Sequence, residues 1–325
     1  MKVKITGTGS YLPEKILTNH DLEKMVDTSD EWIRTRTGIV ERHIAADDEA
    51  TSDMVARAAE KALEMAKLKP EDLDAIIVAT VTPDNAYPST ACWVQKHLGI
   101  KGQPAFDIEA ACSGWIYGVA VGSGLIETGL GKKILVCGGE TMSRALNWED
   151  RSTCVLFGDG AGCTVLEPSD DDSGFLSIYL GADGNLGELL IQPAGGSRMP
   201  PSEKTVKEKL HTVFMQGNEV FKHAVRSMQM AAIKALEMAG LEGKDVDVFI
   251  PHQANLRIID ATRERAGIPK EKTSVTIDHI ANISAATIPI SLDEAVRAGK
   301  IKKGDIVLFD AFGGGFTWAS AVLRW

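Results

Sequence analysis

Cys112, His252 and Asn282 are the side chains of this sequence whose types and settings could carry covalent chemistry. Cys112 stands in Ala110-Ala111-Cys112-Ser113-Gly114, between a short apolar run at 105 to 108 and a long uncharged stretch. That pattern predicts a tight strand-to-helix turn presenting a thiol at a helix N-terminus. Free N–H groups and partial positive charge at such a terminus favour the thiolate, which is the attacking form. His252, in Pro251-His252-Gln253-Ala254-Asn255, follows an apolar run and precedes a helix that begins near Asn255. This is the loop side on which α/β sites assemble. Asn282 places an amide at the start of a further helix. Each has a plainer reading, as a buried structural cysteine, a hydrogen-bonded histidine and a capping asparagine. Gly313-Gly314-Gly315 removes side chains where the backbone must approach something closely, so its N–H groups could hold an oxyanion or simply form a bulge.

An internal repeat gathers these residues. Lys-Ala-Leu-Glu-Met-Ala occurs at 61 to 66 and again at 234 to 239, an offset of 173. The same offset sets Leu68 over Leu241, Asp72 over Asp245, Asp74 over Asp247, Ile76 over Phe249 and Ala79 over His252. With a slip of three residues, Cys112 falls over Asn282. Two matched halves, 1 to 170 and 171 to 325, predict a pseudo-twofold axis about which the three side chains converge.

The positioning elements follow from periodicity. Apolar runs rich in Val and Ile at 74 to 80, 132 to 138, 246 to 250 and 304 to 309 alternate with helical stretches, which predicts an α/β architecture. At 51 to 66, Val55, Ala59, Ala62, Leu63 and Ala66 recur at helical spacing, behind Thr51 or Ser52 as N-cap. Val220 to Leu236 repeats the pattern in the second half. The segments after Cys112 and Asn282 are small or apolar nearly all round, as expected of helices buried between two sheets. Residues 169 to 174 read as a surface turn, and 182 to 213, rich in Gly, Pro and charge, as an insertion or lid.

At 325 residues, 44% hydrophobic and 25% charged, the chain has material for two cores. No run reaches the roughly 20 apolar residues of a membrane span, and no signal peptide is apparent, so a cytoplasmic protein is expected. Five widely spaced cysteines (92, 112, 137, 154, 163) with no Cys-x-x-Cys pair suggest neither a disulfide framework nor a zinc site. A net charge of −10 argues against nucleic acid as a partner. Gly7-Thr8-Gly9 has Leu12 where a dinucleotide fingerprint needs glycine, and Gly158 to Gly162 leads into another strand-like run.

Taken together, Ala-Ala-Cys112-Ser-Gly, Pro-His252-Gln-Ala-Asn-Leu-Arg, Asn282-Ile-Ser-Ala-Ala and Ala-Phe-Gly-Gly-Gly-Phe-Thr-Trp resemble the β-ketoacyl-[acyl-carrier-protein] synthase III family from end to end. The resemblance implies a thiolase-like fold, two fused halves in a five-layered α-β-α-β-α arrangement, and a homodimer. It implies decarboxylative condensation of acetyl-CoA, or another short acyl-CoA, with malonyl-acyl carrier protein, the step that initiates fatty-acid synthesis. CoA thioester is then substrate, and no resident cofactor is expected. Cys112 would be nucleophile, His252 and Asn282 the enolate-stabilising pair, and the N–H groups of Cys112 and Gly314 the oxyanion hole. Trp32 and Arg151 would sandwich the CoA adenine, with Thr28 and Arg36 nearby and Asn218 along the pantetheine arm. Tyr87 would reach the acyl pocket across the dimer, and Lys222, Arg257 and Arg263 would form the patch for the acidic carrier protein.

Two departures stand out. The family often has Gly-Asn-Thr-Ser where this chain has Ala281-Asn282-Ile283-Ser284, and often Phe where Tyr87 stands. Competing readings are a related condensing enzyme of secondary metabolism and a non-catalytic acyl-CoA or carrier-protein binding subunit. Asn282 and the triple glycine disfavour a hydroxymethylglutaryl-CoA-type synthase.

Overall fold

Alternation along the apolar strands sorts side chains into layers. In the computed structural model, which describes residues 2 to 325, Ile76, Val78, Leu135 and Cys137 face outward beneath Met54, Val55, Ala58, Ala59 and Ala62 of the helix Thr51–Ala66. Their neighbours Ile77, Ile134 and Val136 face inward, onto Trp115, Ile116 and Val119 of the helix Gly114–Glu127. Across that layer lie Ile288 and Leu292 of the helix Thr287–Arg297 and then Val307, Phe309 and Ala321 of the second sheet. The ring of Trp115 meets that of Phe309 edge-on at 5.2 Å. Each such fully buried side chain contributes roughly 1.5–3 kcal/mol. The second sheet is covered on its far side by the helices Gly217–Ala239 and Leu256–Arg265. The result is the five-layered thiolase-like α/β arrangement.

The first sheet has the order Val3–Tyr11, Asp159–Pro168, Ile134–Thr141, Ala75–Ala79, Ala105–Ile108. The second runs Gly174–Ala182, Thr317–Arg324, Ile306–Gly313, Val248–Pro251, and a single bridge from Phe249 to Thr273 stands where a fifth strand would be. The order is the same in both sheets. Lys67 and Gly240, the left-handed residues that close the two outer helices, are 173 apart, as are the 3-10 turns Pro70–Asp72 and Gly243–Asp245.

At the site the repeat departs from the sequence expectation. The turn Ala111–Ser113 and the turn Ser284–Ala286 each open on a left-handed residue with φ of 46° and lead directly into the helices at Gly114 and Thr287. The offset is again 173, so Cys112 lies over Ala285 and not over Asn282. Ala105 and Thr273 hold equivalent places beside Ile76 and Phe249. Between Ile108 and Ala111 there are two residues; between Thr276 and Ser284 there are seven. The five extra residues wind the short helix Ile277–Ile280 and deliver Asn282. Isolated letters could not show this, because an insertion and a slip look alike in a stretch of small residues.

A second expectation also fails. The N-cap of Thr51–Ala66 is Ala50, whose N–H donates to Asp53 Oδ2 at 2.8 Å. Thr51 and Ser52 lie inside the first turn and are spent on the segment after Ala79: Thr51 Oγ1 donates to Thr82 O at 2.7 Å and Ser52 Oγ to Asp84 Oδ2 at 2.6 Å. The lid-like region 182 to 213 is folded, with Leu190–Ile191 paired to Phe214–Met215. Among the described residues no helix is long and apolar enough to cross a membrane.

Gly9, part of the rejected fingerprint, serves packing: a Cβ there would lie 2.2 Å from Ala58 O and 2.5 Å from Ala62 N. The outer helix therefore rests on bare strand backbone. Gly9→Ala is expected to destabilise the protein by roughly 1–3 kcal/mol, read as a lower urea midpoint with unchanged slope; an unshifted midpoint would refute the close contact.

Candidate active site

Cys112, His252 and Asn282 line one pocket, whose walls are apolar: Phe157, Met215, Phe221, Met228 and Phe312 among them. Leu190 and Met215 of the short hairpin close one side. The thiol sits on the 3-10 turn one step ahead of the central helix. Gly313 makes this possible, since a Cβ there would stand 2.5 Å from Cys112 N. Gly314 follows immediately, and no acceptor among the described residues takes its N–H.

The electrostatics reverse one expectation. Cys112 is not a low-pKa thiol: burial pushes it up to about 12, and the Glu140 and Glu109 carboxylates act in the same direction. The helix end is present, but an apolar pocket and two nearby carboxylates outweigh it. The Ser284 side chain works the other way without cancelling the rise. His252 is driven the other way by burial, down to about 3, so its imidazole is neutral.

Its backbone N–H donates to Asp310 O at 2.8 Å, and its Nδ1 lies 2.7 Å from Thr287 Oγ1. Asn282 is fixed by the inserted turn. Its N–H donates to Leu156 O at 3.0 Å, its carbonyl accepts from Gly158 N at 3.1 Å, and its Oδ1 accepts from Ser284 N at 2.8 Å. With Oδ1 engaged, Nδ2 is the amide atom left to the pocket. His279 clamps the same turn between Asp278 at 2.9 Å and Glu294 at 3.0 Å. The hydrogen bond to Glu294, ahead of that to Asp278, raises His279 to about 9, so the clamp is cationic at neutral pH.

Sequence reasoning missed Glu140 and Thr287. Glu140 is fully buried and accepts from Thr80 Oγ1 (3.2 Å), Val81 N (3.1 Å), Thr82 N (3.1 Å) and Thr82 Oγ1 (2.5 Å). Burial raises it to about 7 despite those donors. A lone carboxylate in the otherwise uncharged stretch 134 to 142 was the available signal. Thr287 gave none.

With this geometry in view, relatives are informative. The C-terminal model of 3-oxoacyl-[acyl-carrier-protein] synthase III matches residues 236–325 and the companion model matches 106–184. The chain is 59% identical over 321 residues to a β-ketoacyl-[acyl-carrier-protein] synthase III of Caldanaerobacter subterraneus, covering 99% of this chain and 97% of that one. It is 55% identical over 325 residues to that of Desulfitobacterium hafniense, covering 100% and 98%. This chain belongs to the β-ketoacyl-[acyl-carrier-protein] synthase III family. The crystal structure of the Aquifex aeolicus 3-oxoacyl-[acyl-carrier-protein] synthase III superposes with a TM-score of 0.92 at 50% identity, over 99% of this chain and 100% of that one. A synthase III is a condensing acyltransferase of the thiolase fold.

The remaining residues implied by the synthase III resemblance fall at several places. Arg151 Cζ lies 4.9 Å from the Trp32 ring centroid and Arg36 Cζ at 6.0 Å. Arg151 Nη1 also donates to Asp27 O at 2.8 Å. Two stacking contacts of roughly 3.5 Å each need about 7 Å, so a purine enters between Trp32 and Arg151 only if they part. Thr28 carries a buried hydroxyl with no hydrogen-bond partner among the described residues. Asn218 is exposed in the first turn of Gly217–Ala239. Tyr87 is 87% exposed and stands outside its own chain's pocket.

On the outer face, Lys222 pairs with Glu219 at 2.7 Å and Arg257 lies 5.3 Å over the Phe221 ring. Arg263 does not join them as a free charge: it is bound to Asp260 at 2.8 Å and Glu264 at 3.2 Å. Exposed Arg226, one turn beyond Lys222, was overlooked.

Ala281 occupies φ 60°, ψ −157°, a backbone region that glycine favours, where the synthase III family often has glycine. Ala281→Gly is expected to raise stability by roughly 1 kcal/mol, seen as a higher Tm; a lower Tm would show the strain is not there. For Glu140, loss of the buried negative charge should favour the thiolate. In Glu140→Gln the pH profile of Cys112 alkylation by iodoacetamide should move to lower pH, and an unmoved profile would mean that Glu140 does not act on the sulfur.

Proposed function

We propose that this pocket joins a short acyl group, donated by acyl-CoA and acetyl foremost, to malonyl-acyl carrier protein, giving a β-ketoacyl-acyl carrier protein and CO₂. The reading is carried by one observation: a cysteine, a neutral histidine and an asparagine amide share an apolar-walled pocket at the ends of two buried helices.

In the first half-reaction Cys112 Sγ attacks the thioester carbonyl and the CoA sulfur departs, so the thiol proton ends on CoA. The N–H groups of Cys112 and Gly314 face the developing oxyanion. Fixed dipoles in a water-poor pocket stabilise it without reorganising. Malonyl-acyl carrier protein then loses CO₂, and its thioester oxygen becomes an enolate. Asn282 Nδ2 and His252 Nε2 donate to that oxygen. For His252 this requires the proton on Nε2, with the Thr287 hydroxyl donating to Nδ1 across their 2.7 Å contact. A neutral imidazole suits the task, because it donates a hydrogen bond without readily surrendering a proton to the carbanion. The carbanion attacks the acyl carbonyl, and collapse of the tetrahedral adduct releases Cys112.

Trp32, Arg151, Thr28 and Arg36 take the nucleotide end of CoA in this reading, with Asn218 along the pantetheine arm. Lys222, Arg257 and Arg263, with the exposed Arg226 beside them, meet the acidic carrier protein. Tyr87, unused in its own chain, serves a partner's acyl pocket in a homodimer.

Intact-protein mass spectrometry after mixing with acetyl-CoA, followed by a malonyl-acyl carrier protein chase, tests the roles. Cys112→Ala should take up no acetyl group. His252→Ala should still be acetylated but should lose condensation by about 10²-fold or more. Condensation at the native rate in the His252 variant would overturn the assignment.

A further inference from the structure

Arg42, on the strand Glu41–Ile44, is fully buried, and no carboxylate pairs with it among the described residues. Burial draws its pKa down to about 10, which still leaves a cation at neutral pH. An unpaired buried charge is costly. The surrounding cluster of Leu22, Ile33, Ile39, Cys154 and Val155 is already apolar, so cohesion alone does not call for a guanidinium.

The arrangement of its partners does. Nη1 donates to Leu17 O at 3.1 Å and to Asn19 Oδ1 at 3.0 Å, while Nη2 donates to Asn19 Oδ1 at 3.1 Å and to Val155 O at 3.0 Å. Val155 is the C-cap of the short helix Arg151–Cys154, whose first residue lies over Trp32. Asn19 extends the connection to the other wall. Its Nδ2 donates to Asp30 Oδ1 at 2.9 Å and to Ile39 O at 2.8 Å, at the first residue and just past the last of the helix Asp30–Thr37, which carries Trp32. One planar guanidinium thus reaches the backbone behind Arg151 directly and the helix behind Trp32 through a single amide. A flexible ammonium with three donors lacks that fixed fork.

We propose that Arg42 is a positioning residue that aligns the Trp32–Arg151 clamp for the nucleotide end of the acyl-CoA donor. The proposal rests on the reading of Trp32 and Arg151 as CoA-binding residues. Arg42 touches no substrate. Its effect is confined to donors that carry a nucleotide, which a general loosening of the fold would not reproduce.

The test compares kcat/KM for acetyl-CoA with that for acetyl-pantetheine, which keeps the thioester and arm but lacks the nucleotide. In Arg42→Lys the acetyl-CoA to acetyl-pantetheine ratio should fall by roughly tenfold, through KM for acetyl-CoA. An unchanged ratio, including an equal loss with both donors, overturns the proposal. If Arg42→Lys does not yield folded enzyme, the same ratio is read on Asn19→Ala, which cuts the link from Arg42 to the helix Asp30–Thr37 and keeps the guanidinium bonds to Leu17 O and Val155 O. Trp32→Ala separates the two layers of the argument. A ratio that falls there but not in the Arg42 and Asn19 variants leaves the clamp standing and removes Arg42 from it. A ratio unmoved by Trp32→Ala removes the clamp itself, and with it the role of Arg42.

Discussion

The structure depends on backbone meeting backbone between the two sheets. A Cβ on Gly138 would lie 2.3 Å from Ala285 O, one on Gly162 2.6 Å from Ile290 N, and one on Gly114 2.9 Å from Ala79 Cβ. The two central helices therefore reach the strands only where side chains are missing. This closeness fixes the turns at 111 to 113 and 284 to 286, and hence the floor of the pocket. It also explains why both turns begin with left-handed residues. The chain must reverse within a space too shallow for an ordinary strand-to-helix connection, and the strain is held by the packing around it.

A site walled by apolar side chains sets its own electrostatics. Burial raises the Cys112 thiol and the Glu140 carboxyl and lowers the His252 imidazole. Oriented N–H groups and amide dipoles gain strength where solvent does not screen them. The two cationic side chains do not line the pocket: His279 lies on the inserted helix, held by Asp278 and Glu294, and Arg42 lies behind Val155.

Much of this was legible in the sequence, for definable reasons. Helices and strands announced themselves by period, and the repeated Lys-Ala-Leu-Glu-Met-Ala fixed the offset over the outer helices and first strands. Cys112, His252 and Asn282 were legible because their types are unusual in their settings. The alignment of Cys112 with Asn282 was not, since five inserted residues in a small, apolar stretch leave no mark in composition. Thr51 and Ser52 looked like caps because they precede a helix, yet both hydroxyls bind the segment at 82 to 84, a contact that only the tertiary structure creates. The raised thiol pKa was hidden likewise, because a sequence displays the helix end but not the walls around the sulfur. The ion pairs of Arg263 with Asp260 and Glu264 were not legible, because they too arise only in the folded helix.

The five residues that deliver Asn282 occur in the second half alone. Two separate, identical subunits related by a true dyad could not be arranged in this way, because every insertion would appear twice and both copies would press toward the same small space. Joining the halves in one polypeptide removes that obligation. One half can keep its thiol on an unadorned turn while the other grows the loop that faces it, and the axis survives in the framework after it has been lost at the pocket. Symmetry here supplies the scaffold, and its local breakage sets a thiol and an amide on opposite sides of one pocket.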